Sequence, residues 1–405
     1  MITETEIQTL TRTEQLMQDE SEVVLQTYKR APFVLVHGQG VHVFDTEGKN
    51  YLDWVAGIAV NALGYGDRDV QAVINQQLST GLIHTSNLYH TVPHVELAKL
   101  LTEKSFADRV FFTNSGTEAN EGAIKFARKV AYEKGYHDKT ELVSFSHAFH
   151  GRTMGSLSLT PKEKYQTGFK PLLPNIRGAI FNDIESARAV INENTAGVLI
   201  EPIQGEGGIN IATDEFLREL RALCDANDAL LIFDEVQCGM GRTGTLWAHE
   251  HSGVTPDIMT LAKPLAGGLP IGAILVTNRV AEAIHAGNHG STFAGNPFIT
   301  AVAHHVLERI AQPDFLAHVA EVGAYLQEKL ASIQHPDIIE VRGRGLMVGM
   351  EFAREVDPII NAGYEHGLLL INAGTHVIRF VPPLIIQKSH VDILCDKLTH
   401  ILEAL

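Results

Sequence analysis

Leu230-Leu-Ile-Phe-Asp-Glu-Val-Gln237 is an uninterrupted apolar run that ends in two acids. Strands covered on both faces of a parallel sheet read this way, because neither face has to be polar. In such sheets ligands gather beyond the carboxyl ends of the strands, so Asp234 is aimed at a site, whereas Glu235 reads as a cap on the next turn. Twenty-nine residues after Asp234, Met259-Thr-Leu-Ala-Lys263-Pro264 ends a second apolar strand in a lysine. A lysine buried there loses basicity and can form an imine with a carbonyl cofactor. Pro264 pushes the residue before it to extended geometry, which is expected to fix how Lys263 leaves its strand.

Upstream, Thr113-Asn-Ser-Gly-Thr-Glu118 lies between a strand-sized run, 110–113, and a helix expected over 119–134. That helix places Ile124, Ala127, Arg128 and Ala131 at helical spacing and stops at Gly135. Hydroxyls and backbone N–H groups at a helix start make an anion site, although a Ser or Thr followed by Glu is also an ordinary N-cap. Two hydroxyls flanking a glycine raise the phosphate reading. Further strand-sized runs at 142–145, 179–181, 197–201, 258–261 and 272–277 alternate with amphipathic segments, the signature of a sheet with crossover helices.

After Asn296-Pro297 two helices are expected to run to about 333. Strands over 338–352, 368–371 and 377–381 then interleave with helices, and an amphipathic helix covers 389–404. A hairpin signal at 41–52 around Glu47-Gly48 suggests that the N-terminal residues pack on this C-terminal unit. The expected division is a large α/β domain of residues 60–300 and a small one formed by 1–59 with 301–405.

The 405 residues are enough for two or three domains at roughly 150 residues each. Thirty-two basic against 48 acidic residues give a net charge of −16, which argues against nucleic acid or an anionic membrane as partner. No apolar run approaches the ~18 residues of a membrane span. The first 22 residues hold Glu4, Glu6, Glu14, Asp19, Glu20 and Glu22 against a lone Arg12, the wrong balance for a signal or transit peptide. Cys224, Cys238 and Cys395 form neither a C-x-x-C pair nor a disulfide framework, so a cytoplasmic location is expected.

A phosphate cradle, an acid at one strand end and a lysine at another are together what pyridoxal phosphate (PLP) requires: an anchor, a partner for the pyridine nitrogen and an imine former. A rival signal is Gly239-Met-Gly-Arg-Thr-Gly244, a dinucleotide fingerprint in form, which keeps an NAD-dependent oxidoreductase open as an alternative. Two carboxylates precede it where a pyrophosphate would be repelled, and a poor crossover helix follows. His147-Ala-Phe-His150 and His249-Glu-His251 lack the spacing of metal-binding motifs, so no metal is expected. A non-enzymatic binding module is disfavoured by the acid, lysine and cradle together.

The sequence resembles the class III PLP-dependent aminotransferases, and among them the acetylornithine aminotransferases. The likeness runs from Gly57-Ile-Ala-Val-Asn-Ala-Leu-Gly64 and His84-Thr-Ser-Asn-Leu-Tyr-His90 through Asn114-Ser-Gly-Thr-Glu-Ala-Asn120 and Phe149-His-Gly-Arg-Thr153. It continues with Glu201-Pro-Ile-Gln-Gly-Glu-Gly-Gly208, Asp234-Glu-Val-Gln237, Ala262-Lys263, His289-Gly-Ser-Thr-Phe293 and Arg379-Phe-Val-Pro-Pro-Leu384. It implies a type I PLP-transferase fold and a ping-pong transfer of the delta-amino group of N2-acetyl-L-ornithine to 2-oxoglutarate, in arginine biosynthesis. Other ω-aminotransferases, acting on ornithine, succinylornithine, succinyl-diaminopimelate, carrier-linked lysine or 4-aminobutyrate, use nearly the same pocket.

By the same resemblance Lys263 bonds the cofactor and shuttles the proton, Asp234 pairs with the pyridine nitrogen, and Ser115, Gly116 and Thr117 hold the phosphate. Thr292 reaches that phosphate from the neighbouring subunit of a homodimer, and Ser291 adds a substrate contact there. Phe149 and Val236 sandwich the ring, and Gln237 bonds its phenolic oxygen. Arg152 grips the substrate carboxylate. Glu201 and Arg379 pair as a gate that opens for 2-oxoglutarate, and Gly57 leaves room for an acylated side chain where ornithine aminotransferases carry tyrosine. The chain departs from the family at Gly64-Tyr-Gly-Asp-Arg68 and Pro264-Leu-Ala.

Overall fold

The computed structural model describes residues 10–405; Glu4 and Glu6 of the acidic N-terminal stretch lie outside them. Seven strands form the central sheet, in the spatial order Arg109–Thr113, Gly272–Val276, Ile258–Leu261, Leu230–Asp234, Thr195–Ile200, Glu141–Phe145 and Ile176–Ala179. Gly272–Val276 runs antiparallel to both its neighbours, while the remaining pairings are parallel. The fold is therefore α/β with a mostly parallel sheet.

Every residue of Leu230–Asp234, Thr195–Ile200 and Ile258–Leu261 is buried, as continuous apolar runs require. Successive side chains point to opposite faces, so Leu230 and Ile232 pack beneath the helix Gly116–Glu133 while Leu231 and Phe233 pack against Asp214–Ala226. Each such side chain contributes roughly 1.5–3 kcal/mol of burial. Ala119, Ala123 and Ala127 recur every four residues along the first helix and let it lie close to the sheet. The last strand in this order is displaced from the expected 179–181 to Ile176–Ala179. It is an edge strand, so Arg177 and Gly178 sit in it without a polar penalty, and an apolar run is a poor guide to its position.

Strands Leu35–Gln39, His42–Asp45 and Asn50–Asp53 form an antiparallel meander to which Leu368–Leu369 adds in parallel, tying the two chain ends together. A second sheet contains Ile338–Arg344, Met347–Phe352, Val377–Phe380 and Ile371–Asn372. One continuous core, including Trp54, Phe112, Leu275, Val306, Leu326, Phe380 and Leu398, joins both to the edge of the large sheet.

Gly239–Gly244 belongs to this joint. Gly241 has φ +81°, and a Cβ there would stand 2.6 Å from Ile310 Cγ2. The buried Arg242 donates from Nη1 to the carbonyls of Leu346 (3.1 Å) and Pro382 (2.5 Å). Glu235 is a cap: it accepts from the backbone N–H of Ala248 (2.6 Å) and His249 (2.8 Å), and the His249 ring lies 2.8 Å from it.

Candidate active site

The carboxyl ends of the parallel strands converge on a cavity of about 460 Å³. Different strands deliver different groups: Asn114 to Thr117 follow Arg109–Thr113, Phe149 to Arg152 follow Glu141–Phe145, and Glu201, Asp234 with Val236 and Gln237, and Lys263 lie at the ends of Thr195–Ile200, Leu230–Asp234 and Ile258–Leu261. This convergence follows from the shared strand direction, which points every loop to the same edge.

Lys263 opens a short 3-10 turn, Lys263–Ala266, with Pro264 at its second position. Its φ is +28°, so it is not extended as the following proline led us to expect. The turn starts at the lysine itself, and a non-glycine residue held at positive φ is strained, a feature that concentrates at functional sites. Burial pushes the amine below the ordinary lysine value, against the opposing charge of Glu206. A larger share of it is therefore the free, nucleophilic amine.

Asp234 is 4% exposed and held from three directions. Its Oδ2 accepts from Asn120 Nδ2 at 2.7 Å and faces His150 Nδ1 at 2.8 Å; its Oδ1 accepts from the Val236 N–H at 3.0 Å. Asn120 is oriented in turn by the Thr260 hydroxyl, at 2.8 Å. Sequence reasoning missed both His150 and Asn120 as partners of Asp234. Asn120 stands one helical turn beyond Gly116, and His150 was weighed only as a metal ligand.

Ser115 is the N-cap of the Gly116–Glu133 helix, accepting from Glu118 N at 3.3 Å, while Glu118 accepts from Asn114 N at 2.6 Å. The ordinary cap and the anion cradle are thus the same structure: the cap leaves N–H groups of the first turn directed at the cavity mouth. A Cβ on Gly116 would fall 2.7 Å from Val236 Cγ1, so only glycine lets the cradle close against that side chain.

Arg152 lies with its guanidinium 3.7 Å from the centre of the Tyr165 ring and 5.6 Å from that of Phe149. Among the described residues it has no acidic partner, so its fork is free for a carboxylate. The expected Glu201–Arg379 pair does not form. Glu201 ends its strand turned inward, accepting from Phe149 N (3.0 Å) and Gly205 N (3.2 Å), and burial pushes its carboxyl up to about 7. The acid that reaches Arg379 is Glu206, carried across by the turn between Ile203–Gln204 and Asn210–Ile211. Arg379 donates to Glu206 Oε1 at 2.5 Å, to Gly205 O at 2.8 Å and to Gln237 Oε1 at 2.9 Å. Burial alone would raise the Glu206 carboxyl, but Arg379 and Lys263 outweigh it and hold it below the ordinary value.

Gly57 does not line the lysine cavity. It borders a different one of about 620 Å³, with Arg30, Asp53 and Tyr65, while Val60, three residues on, lines the first. Tyr65, the departure from the family pattern, donates to the buried Asp53 at 2.7 Å and is a strut of that cavity wall. Ser291 Oγ accepts from Asn114 Nδ2 of its own chain at 3.0 Å, and Thr292 is exposed on the surface beyond it.

The donor set fits PLP: a helix-start cradle for a phosphate, a carboxylate for the ring nitrogen, an apolar pair at Phe149 and Val236, and a weakly basic amine. The class-III aminotransferase family model matches residues 24–402. The mitochondrial acetylornithine aminotransferase of Alnus glutinosa is 52% identical over 96% of this chain and 88% of its own. Among solved structures, the N-acetylornithine aminotransferase of Stenotrophomonas maltophilia is 39% identical, with a TM-score of 0.81 over 93% of this chain and 97% of that one. The ornithine aminotransferase of Toxoplasma gondii, which has been seen with partial occupancy of PLP at its active site, is 31% identical, with a TM-score of 0.93 over 96% of this chain and 94% of that one. With the family matched over nearly its whole length and the site built to that chemistry, this chain belongs to the class-III, PLP-dependent aminotransferases.

Proposed function

We propose that the protein transfers the delta-amino group of N2-acetyl-L-ornithine to 2-oxoglutarate, giving N-acetyl-L-glutamate 5-semialdehyde and L-glutamate. The observation that carries this reading is the 52% identity to an acetylornithine aminotransferase across 96% of the chain. The glycine at position 57 supports it: it lines the 620 Å³ cavity without a side chain, which leaves that space open to an acylated end.

Ser115, Gly116 and Thr117 would hold the cofactor phosphate, Asp234 the ring nitrogen, Phe149 and Val236 the ring faces, and Gln237 the phenolic oxygen. Bound PLP supplies a carbonyl carbon for the amine and an electron-withdrawing ring. Lys263 Nζ would move the proton: kept weakly basic by burial, it would carry it from the amino-bearing carbon of the substrate to the cofactor C4′. His150 and Asn120 fix the Asp234 carboxylate in one orientation. Arg152 takes the substrate's carboxylate. While a substrate with an uncharged acyl end is bound, Glu206 neutralises Arg379; the second carboxylate of 2-oxoglutarate competes for the same guanidinium, so one cavity serves both halves of the reaction.

The reading includes a homodimer with Thr292 completing the neighbour's cradle. Leu82, Ile83, Leu88, Tyr89, Val92 and Phe293 are all exposed, a density of apolar surface suited to a covered face. Asn87, which donates to the carbonyls of Ser291 and Ala294, binds these two segments together.

Steady-state kcat/KM with 2-oxoglutarate and, in turn, N-acetylornithine, N-succinylornithine, ornithine and 4-aminobutyrate tests the substrate. N-acetylornithine is expected to give the highest value; a higher value for another amine overturns this assignment.

A further inference from the structure

A further cavity, of about 390 Å³, lies between the C-terminal half of the Gly116–Glu133 helix and the segment around Ile284 and Asn288. It is remote in the fold from the strand ends that carry Lys263 and Asp234. Lys139, on its wall, donates to the carbonyls of Glu193 (2.9 Å) and Asn227 (2.7 Å), which precede the amino ends of two sheet strands. In a chain of net charge −16 its lining is conspicuously cationic, with Lys125, Arg128, Lys129 and Lys139.

Three of these cations have no acidic partner among the described residues. Arg128 donates to the carbonyls of Thr140 (3.0 Å) and Pro174 (2.9 Å), and Lys125 lies 2.8 Å from His289 Nδ1. Lys139 is 6% exposed and bonded only to carbonyls. Of the nearby acids, Glu133 is paired with Lys129 and Asp228 with Lys134 and Arg279, while Asp228 and Glu193 also act on Lys139 through space. The helix dipole does not account for the arrangement, since it acts within the last turn and Lys125 stands two turns before the helix end. Burial, and then the charge of Lys125, hold the His289 ring below its ordinary value, with Glu118 opposing them. Burial likewise pushes the Lys139 amine down. Lys139 is buried with its amine on carbonyls rather than on an acid, and a bound anion would balance the positive charge of this wall.

We propose that this cavity, walled by Lys125, Arg128 and Lys139 and flanked by Phe126 and Tyr132, binds a small organic polyanion bearing phosphates or several carboxylates. The site is separate from the cofactor cradle, which stays filled in the holoenzyme. Calorimetric titration of the PLP-saturated protein with pyrophosphate, and separately with citrate, tests it. Saturable binding of at least one is expected; the tighter of the two identifies the anion as phosphate or carboxylate. Lys125→Gln, an exposed residue outside the catalytic machinery, should weaken binding about tenfold, and Lys139→Met at least as much, while Lys388→Gln elsewhere on the surface should leave it unchanged. Should Lys139→Met fail to fold, Lys125→Gln decides alone. No saturable binding of either anion, equal affinity in Lys125→Gln, or equal weakening by Lys388→Gln would each overturn the proposal.

Discussion

Two glycine-bearing loops leave the central sheet at its carboxyl edge, and only one of them is an anion cradle. Asn114 to Thr117 opens an 18-residue helix, so the free N–H groups of a long helix start face the cavity. Gly239 to Gly244 leads only to the four-residue turn Ala248–His251, and its one cation is spent on the carbonyls of Leu346 and Pro382. Burial pushes that guanidinium, Arg242, down to about 9. Glycines permit a close approach in both places; in the first the approach is to a site, in the second to the helix Pro297–Ile310. The difference excludes the dinucleotide reading on physical grounds, since the second loop has neither a helix start nor space.

Neighbouring acids separate in the same way. Asp234 faces the cavity and Glu235 caps a turn, and substitutions there and at the loops sharpen the comparison. The largest effect is expected at the lysine: Lys263→Ala should lower turnover by roughly 10⁴-fold or more with the fold intact by circular dichroism, and retained transamination would remove Lys263 from its role. Asp234→Ala should cost ~10²-fold to 10³-fold in kcat. Glu235→Ala should instead lower the melting temperature, by orphaning two buried N–H groups at about 1–3 kcal/mol each, while folded molecules keep their kcat. If both variants failed in the same way, the division between these neighbours would be wrong.

Gly116→Ala should weaken PLP binding about tenfold, because the added methyl displaces Val236 from the ring face. Gly241→Ala should leave PLP affinity alone and destabilise by about 1–3 kcal/mol. Equilibrium titration of PLP beside urea denaturation separates the two. A smaller effect is expected from Glu201. Its folded-state pKa is raised to about 7 from 4.5, so the folded protein favours the neutral acid. The stability this contributes is present at low pH and lost as the pH rises through 7. The stability of the native protein relative to Glu201→Gln should therefore shrink between pH 5 and pH 8, and a constant difference would contradict the shift.

The sheet was legible in the sequence because its inner strands are buried on both faces and read as apolar runs. The edge strand Ile176–Ala179 was not, since one side faces solvent and its polar residues erase the run. Residues at strand ends, such as Asp234 and Lys263, were legible for a positional reason: a charged group closing an apolar strand has few places to go but the crevice. Partnerships between loops were not. Whether Glu201 or Glu206 meets Arg379 depends on a short hairpin, Ile203–Gln204 with Asn210–Ile211, that no periodicity marks, and His150 meets Asp234 across two strand ends that are distant in the chain. Gly57 comes from the resemblance as room for an acylated side chain, and the fold sets that room in the 620 Å³ cavity rather than in the one that holds Lys263.

The central claim is that the groups converging on the 460 Å³ cavity hold PLP through Lys263. Borohydride reduction of the holoenzyme followed by peptide mass mapping tests it directly. The account predicts a phosphopyridoxyl group on Lys263 and on no other lysine, lost when reduction follows incubation with N-acetylornithine; the label on a different lysine, or on none, would contradict it.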